Sequence, residues 1–209
     1  ACDAARAAAD AGFSEAALDA FLSGATAASV DGTGMTQSKL CVVGDRCAGI
    51  IANGVTGTFT IRRDVNAAQI EAILGRVQPL TSFVGGAQVT IDAAMMGDVQ
   101  LVKVAAAINC VAHVENLLVT RTLTPETIAA LVAKASAGEV TVDATLMSPA
   151  QLGAAVSGSA TVAIIGTIRI DAGIAAPQIG EIVSMAVPGS ATIRFDTAGM
   201  SGAQAAAVD

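Results

Sequence analysis

Six aspartates close stretches of alternating apolar and polar residues: Asp31, Asp64, Asp92, Asp143, Asp171 and Asp196. Carboxylates repeated in this way suit two kinds of chemistry. A stacked set can hold Ca²⁺, a hard cation that collects several oxygen ligands, and Asp143, Asp171 and Asp196 are the candidates for it. Alternatively, each carboxylate accepts main-chain N–H groups of the turn that follows it, a structural use of Asp at a strand end. Arg62, Arg169 and Arg194 lie two residues before Asp64, Asp171 and Asp196 and would partly neutralise a row of like charges. Such exposed pairs add little stability.

The aspartates belong to a longer repeated phrase. Val142-Asp143-Ala144-Thr145-Leu146-Met147-Ser148, with Gln151-Leu152, echoes Val30-Asp31-Gly32-Thr33-Gly34-Met35-Thr36, with Leu40. Shorter echoes follow Ile91-Asp92 and Phe195-Asp196. Ser14, Thr36, Asn66, Gly97, Thr124, Ser148, Ala175 and Ser201 then mark expected helix starts. Most are Ser, Thr or Asn, whose side chains accept a bond from an unpaired helix N–H. Asn66 with Gln69, Ser148 with Gln151 and Ser201 with Gln204 have capping-box spacing. Pro125 and Pro149 sit at the first helical position, where a missing N–H costs nothing. An apolar residue precedes each start (Met35, Met96, Met147 and Met200 among them) and an apolar or small residue follows four positions later, the spacing of a hydrophobic staple.

Before the helices lie strands with period-two alternation. Val140 and Val142, Ile168 and Ile170, Ile193 and Phe195, and Val89 and Ile91 are expected to point inward. Their polar partners fall into three columns on the other face: Thr60, Gln88, Glu139, Thr167 and Thr192; then Arg62, Thr90, Thr141, Arg169 and Arg194; then the aspartates. Arg63 and Arg121 break the alternation, which implies either a bulge or a register slip of one.

One strand and one short Ala-rich helix per ~26 residues predict a parallel sheet on one face and helices on the other. In element order and periodicity, from about Phe13 onward, the chain resembles the leucine-rich-repeat class of βα solenoid. The asparagine that usually follows the strand is missing, and Leu is largely replaced by Val, Ile, Ala and Met. The phrase Val-Asp-Ala-Thr with Met-Ser-x-x-Gln-Leu is also similar to Ala-rich repeats of large secreted bacterial surface proteins. The resemblance implies a right-handed solenoid of about seven coils, residues 1–209 forming one repeat domain. Residues 1–25 would be a helical cap, with Asp3 to Phe21 helical, and 26–209 the βα repeats. A compact doubly wound α/β domain is the competing fold, but its strands would be apolar on both faces.

Composition narrows the function. A net charge of −7 argues against nucleic acid and anionic membrane surfaces. Apolar stretches such as Val99 to Cys110 are short and broken by Gln100 and Lys103, so membrane insertion is not expected. The chain starts at Ala1 rather than Met, which reads as a removed leader or a piece of a longer protein. Cys2, Cys41, Cys47 and Cys110 are either buried thiols or one or two disulfides. The lone His113 lies near Cys110, Gly85-Gly86 reads as a turn, and no HExxH, GxSxG, GxGxxG or P-loop spacing occurs.

The expectation is therefore a non-enzymatic scaffold without cofactor, extracellular or at the cell surface. Its exposed face would present Thr60, Arg62, Asp64, Thr90, Asp92, Thr141, Asp143, Thr167, Arg169, Asp171, Thr192, Arg194 and Asp196. Its partners would be a protein, a glycan, or a second copy met through the uncapped C-terminal coil. A recognition module on the same face is the alternative. A calcium-binding solenoid, or an ice-binding one built on the threonine row, is a lesser alternative.

Overall fold

The computed structural model describes residues 7–77, 87–136, 138–157 and 162–208. Cys2, most of the stretch from Asp3 to Ala9 as side chains, and the Gly85-Gly86 turn lie outside that set. The chain is α/β, with alternating strands and helices and parallel sheets throughout. It divides into two compact units, Ala1–His113 and Val114–Asp209.

In the first unit β1 (Ala7–Ala9), β2 (Ala28–Asp31) and β3 (Ile50–Thr56) form one sheet in that order. A second sheet runs β4 (Thr58–Ile61), β5 (Gln88–Asp92) and β6 (Val111–Glu115), the last carrying the chain out of the unit. The helices are α1 (Glu15–Gly24), α2 (Gln37–Asp45), α3 (Ala67–Leu74) and α4 (Asp98–Ala106). Residues 7–9 are a strand paired with β2, so among the described residues the helix expected from Asp3 to Phe21 begins only at Glu15, after a turn.

In the second unit β7 (Leu117–Val119), β8 (Val140–Asp143), β9 (Val162–Ile170) and β10 (Ala186–Phe195) form a four-stranded sheet in the order β10-β9-β8-β7. Its helices are α5 (Pro125–Val132), α6 (Pro149–Val156), α7 (Ala176–Met185) and α8 (Gly202–Ala206).

All the expected helix starts are N-caps. Ser14, Thr36, Asn66, Thr124, Ser148 and Ser201 accept the N–H of the third helical residue, and Gly97 and Ala175 cap without a side chain. Short Ala-rich helices are marginal alone, so caps and packing decide whether they form. The packing comes from the staple pairs: Met35, Val65, Leu123, Met147 and Ile174 are buried, as are Leu40, Ile70, Ile128, Leu152 and Ile179.

The turns between strand and helix come in two alternating lengths, which the sequence repeat does not display. The short turns close with Phe13 N–H donating to Asp10 O, Val65 to Arg62, Leu123 to Thr120 and Ile174 to Asp171. The long turns hold one residue more and close with Met35 donating to Gly32, Met96 to Ala93, Met147 to Ala144 and Met200 to Thr197. Each long turn places its third residue in the left-handed region: Gly34, Met95, Leu146 and Gly199. Arg63 and Arg121 fall in short turns beyond the ends of β4 and β7, which resolves their break in the alternation without a bulge.

The helix after each long turn reaches back to the preceding short one. Gln100 Nε2 donates to the carbonyls of Arg63 (3.0 Å) and Val65 (2.7 Å). Gln151 does the same to Arg121 and Leu123, and Gln204 to Ala172 and Ile174. In the remaining long-turn helix Lys39 Nζ bonds Ala11 O at 2.6 Å. The three glutamines also accept the N–H of their own N-cap residue, so both ends of each amide are used. Gln151 is 9% exposed, and its loss leaves the buried carbonyl of Leu123 and the part-buried one of Arg121 without this donor. Gln151→Ala is expected to destabilise the protein by about 1–3 kcal/mol, and the more exposed Gln204→Ala by under about 1 kcal/mol. Urea midpoints at constant slope measure both.

Candidate functional site

The open face is built from strand ends and turns, and the register of the strands decides which side chains share it. Thr60 stands opposite Thr90, and Thr58 opposite Gln88. That pairing carries Arg62, not Asp64, to the level of Asp92, and the Arg62 Nε to Asp92 Oδ2 distance is 3.3 Å. Asp64 lies inside a short turn and leaves the column. In the second unit Thr141 stands opposite Ala163 and Asp143 opposite Ile165. Asp143 is therefore not beside Asp171. Thr167 with Thr192 and Arg169 with Arg194 do pair as expected. The three continuous columns thus reduce to short segments within each sheet. The cause is a kink inside the strand path, because Gly57 and Gly166 take positive φ, +87° and +80°, and so does Asn116.

The carboxylates are occupied by their own turns. Asp31 Oδ1 accepts Thr33 N–H at 2.9 Å, Asp92 accepts Ala94, Asp143 accepts Thr145 at 3.0 Å, Asp171 accepts Gly173 and Asp196 accepts Ala198. Asp10, outside the expected set, does the same for Gly12. Of the two uses open to this row, the turn-capping one is realised, and it sets the geometry of the helix entrances. Among the described residues no group of three His, Cys, Asp or Glu side chains is placed to hold a metal ion. Asp143 lies apart from Asp171 and Asp196, and Arg169 stands between the latter two, bonding Asp196 at 2.9 Å and Asp171 at 3.8 Å.

Two of these turns also grip the neighbouring strand. Thr33 Oγ1 accepts the N–H of Thr58 (3.0 Å) and Thr145 Oγ1 that of Thr167 (3.2 Å), while Gly32 N–H donates to Thr56 O and Ala144 N–H to Ile165 O. Gly57 and Gly166 sit inside the resulting Asp-x-Thr cradles. A Cβ at Gly57 would strike Asp31 Oδ1 and Thr33 Oγ1, and one at Gly166 would strike Asp143 Oδ1 and Thr145 Oγ1. These contacts were signalled by the recurrence of Gly-Thr at Gly57-Thr58 and Gly166-Thr167 after each Asp-x-Thr.

The other candidates are scattered. Cys41, Cys47 and Cys110 are free thiols, and burial pushes Cys41 and Cys110 above the usual thiol range, with Asp45, Asp64 and Glu15 adding to the effect at Cys41. Disulfides among the three are therefore absent, and Cys2 lies outside the described residues. His113 is exposed on β6. The shallow depressions include one of about 370 Å³ beside Asp45, Arg46 and Gly49, and one of about 310 Å³ beside Asn116, Glu139 and Thr141. On β10 the residues expected to point inward are uncovered: Ile193 is half-buried and Phe195 is 41% exposed.

No protein-family model, curated protein or solved structure matches the chain.

Gly166→Ala is expected to cost about 2 kcal/mol or more, combining a left-handed backbone with a collision in the cradle. Gly189 has the same φ of +80° but nothing within 4 Å of an added Cβ. Gly189→Ala should cost about 1 kcal/mol, from the backbone alone. Thermal melts of both variants separate the two contributions.

The Ala198 N–H, then the Arg169 guanidinium, holds the Asp196 carboxyl below the usual carboxylate range. A depressed folded value stabilises the protein above the unfolded value of about 4 and is lost as the pH falls through the folded one. Asp196→Asn is expected to flatten the decline in urea midpoint below about pH 4 and to leave its slope near pH 7 unchanged. An unaltered acid limb would show that the carboxylate carries no such linkage.

Proposed function

We propose that the chain is a non-enzymatic repeat scaffold, a right-handed βα solenoid of the leucine-rich-repeat type. It serves as a structural or adhesive module at the cell surface or in the extracellular space. The observation that carries this reading is the recurrence of one side-chain-to-backbone bond from each long-turn helix to the preceding short turn, through Lys39, Gln100, Gln151 and Gln204. A protein built by repetition satisfies the loose ends of one unit with the next, and its stability is a sum of units and their interfaces. The outward side chains that remain for a partner are Thr141, Thr167 and Thr192 with Arg169 and Arg194, a polar strip suited to a glycan or a protein surface.

The short and long turns alternate, so the segment that can leave without disturbing register is one short unit plus one long unit. Deleting Pro125–Ala175 joins Thr124 to Ala176 and replaces one N-cap by another. The shortened protein is expected to fold, melt cooperatively and retain parallel-sheet and helix content in proportion. A doubly wound domain would lose central strands to the same deletion and not fold. Loss of folding in this variant, with the intact chain as control, would overturn the solenoid reading.

A further inference from the structure

In three of the four long turns the third residue faces the second residue of the short turn before it. Two of these pairs are small. A Cβ added at Gly34 would lie 3.7 Å from the Ala11 Cβ, and one at Gly199 would lie 3.8 Å from that of Ala172. The turn after β5 holds a large pair in the same place. Met95 stands there at a φ of +60°, and Arg63 Nη1 donates to its sulfur at 3.0 Å. A left-handed backbone is costly for a residue with a side chain, and burial does not offset it, because Met95 is 80% exposed.

That exposure sets one sulfur apart. Met35 and Met147 are buried, and Met96, Met185 and Met200 are half-buried. A thioether sulfur has two lone pairs, and either can take an oxygen atom from a peroxide. At Met95 the guanidinium occupies one of them and leaves the other to solvent.

We propose that Met95 is a site of reversible, stereoselective sulfoxidation by hydrogen peroxide, with Arg63 as the positioning residue. The open lone pair attacks one peroxide oxygen, and the S–O bond forms as the O–O bond breaks. The second oxygen leaves as hydroxide and takes the proton of the first, so the products are sulfoxide and water. Sulfur gives up two electrons and the peroxide takes them. With one lone pair closed, the new chiral sulfur has a single configuration. The sulfoxide oxygen is a stronger acceptor than the thioether, and the guanidinium has further N–H groups to offer it. The link between the two turns is therefore kept while an apolar side chain becomes polar. Val99 and Val102, on the helix that follows, are exposed as well, so the change falls on an apolar part of the surface. A sulfoxide reductase specific for that epimer reverses it. The inference goes beyond the scaffold reading and does not depend on it.

The test treats the intact protein with hydrogen peroxide and follows each methionine by peptide mass spectrometry. Met95 is expected to oxidise at least about fivefold faster than Met96, Met185 and Met200, and at least about four-fifths of its sulfoxide should be one epimer, scored with the two epimer-specific reductases. The urea-unfolded chain and folded Arg63→Ala should both give near-equal epimers. Arg63→Ala installs the residue found at Ala11 and Ala172, and circular dichroism shows that its fold is kept. The singly oxidised protein should melt no lower than the reduced one. Near-equal epimers at Met95 in the folded protein overturn the proposal whatever the variant does. An epimer bias that survives Arg63→Ala, oxidation of Met95 no faster than of the half-buried methionines, or a lower melt on oxidation would overturn it too.

Discussion

A turn that leaves a strand and enters a helix exposes main-chain groups that its own residues cannot all satisfy. Everything else in this protein depends on how they are satisfied. An Asp at the strand end accepts the amide two residues on, a Ser, Thr or Asn accepts the amide of the third helical residue, and a Gln or Lys from the next unit bonds the carbonyls left over. The bonds are individually modest. They matter because their loss leaves partly buried polar groups without partners, which costs more than making them gains. Consecutive units are thereby specified to each other, and Ala-rich helices of two or three turns hold without large side chains.

The helix starts were legible because capping is local. A Ser, Thr or Asn needs only the next three residues to do its work, and Asn66, Ser148 and Ser201 announce their boxes in sequence. The buried apolar positions were legible for the same reason. Strand register was not. It depends on whether a turn has the short or the long form, a difference of one residue, and on kinks at Gly57, Asn116 and Gly166 that divide the strand path. Alignment on aspartate alone therefore put Asp64 level with Asp92, where Arg62 stands, and joined Asp143 to Asp171 across a kink. None of the four linking residues was legible as a link: Gln151 and Gln204 showed only their capping-box spacing, and Lys39 and Gln100 not even that, because Lys39 replaces the usual Gln and Gly97 offers no capping side chain.

The candidate site changed in position and in meaning. Asp143 is separated from the level of Asp171, and Asp92, Asp143, Asp171 and Asp196 are each engaged by the amide of their own turn. The outward surface is left to threonines, two arginines and the uncovered strand β10. The first unit offers a second apolar exposure, at Met95 (80%) with Val99 and Val102, and Arg63 Nη1 lies 3.0 Å from the Met95 sulfur. Met95 and Leu146 hold left-handed positions that Gly34 and Gly199 occupy in the sister turns, a costlier choice that nothing in the local packing explains.

The Asp31-Gly32 step carries a consequence for chemical ageing. Aspartate followed by glycine is the dipeptide most given to isomerisation, since the unhindered glycine nitrogen attacks the neighbouring carboxyl carbon and closes a succinimide ring. Here the Gly32 N–H is bound to Thr56 O at 2.9 Å, and the Asp31 carboxylate is held away from it by Thr33 N–H at 2.9 Å. Ring closure requires both bonds to open together. The turn that positions a helix therefore also protects this Asp-Gly link against rearrangement.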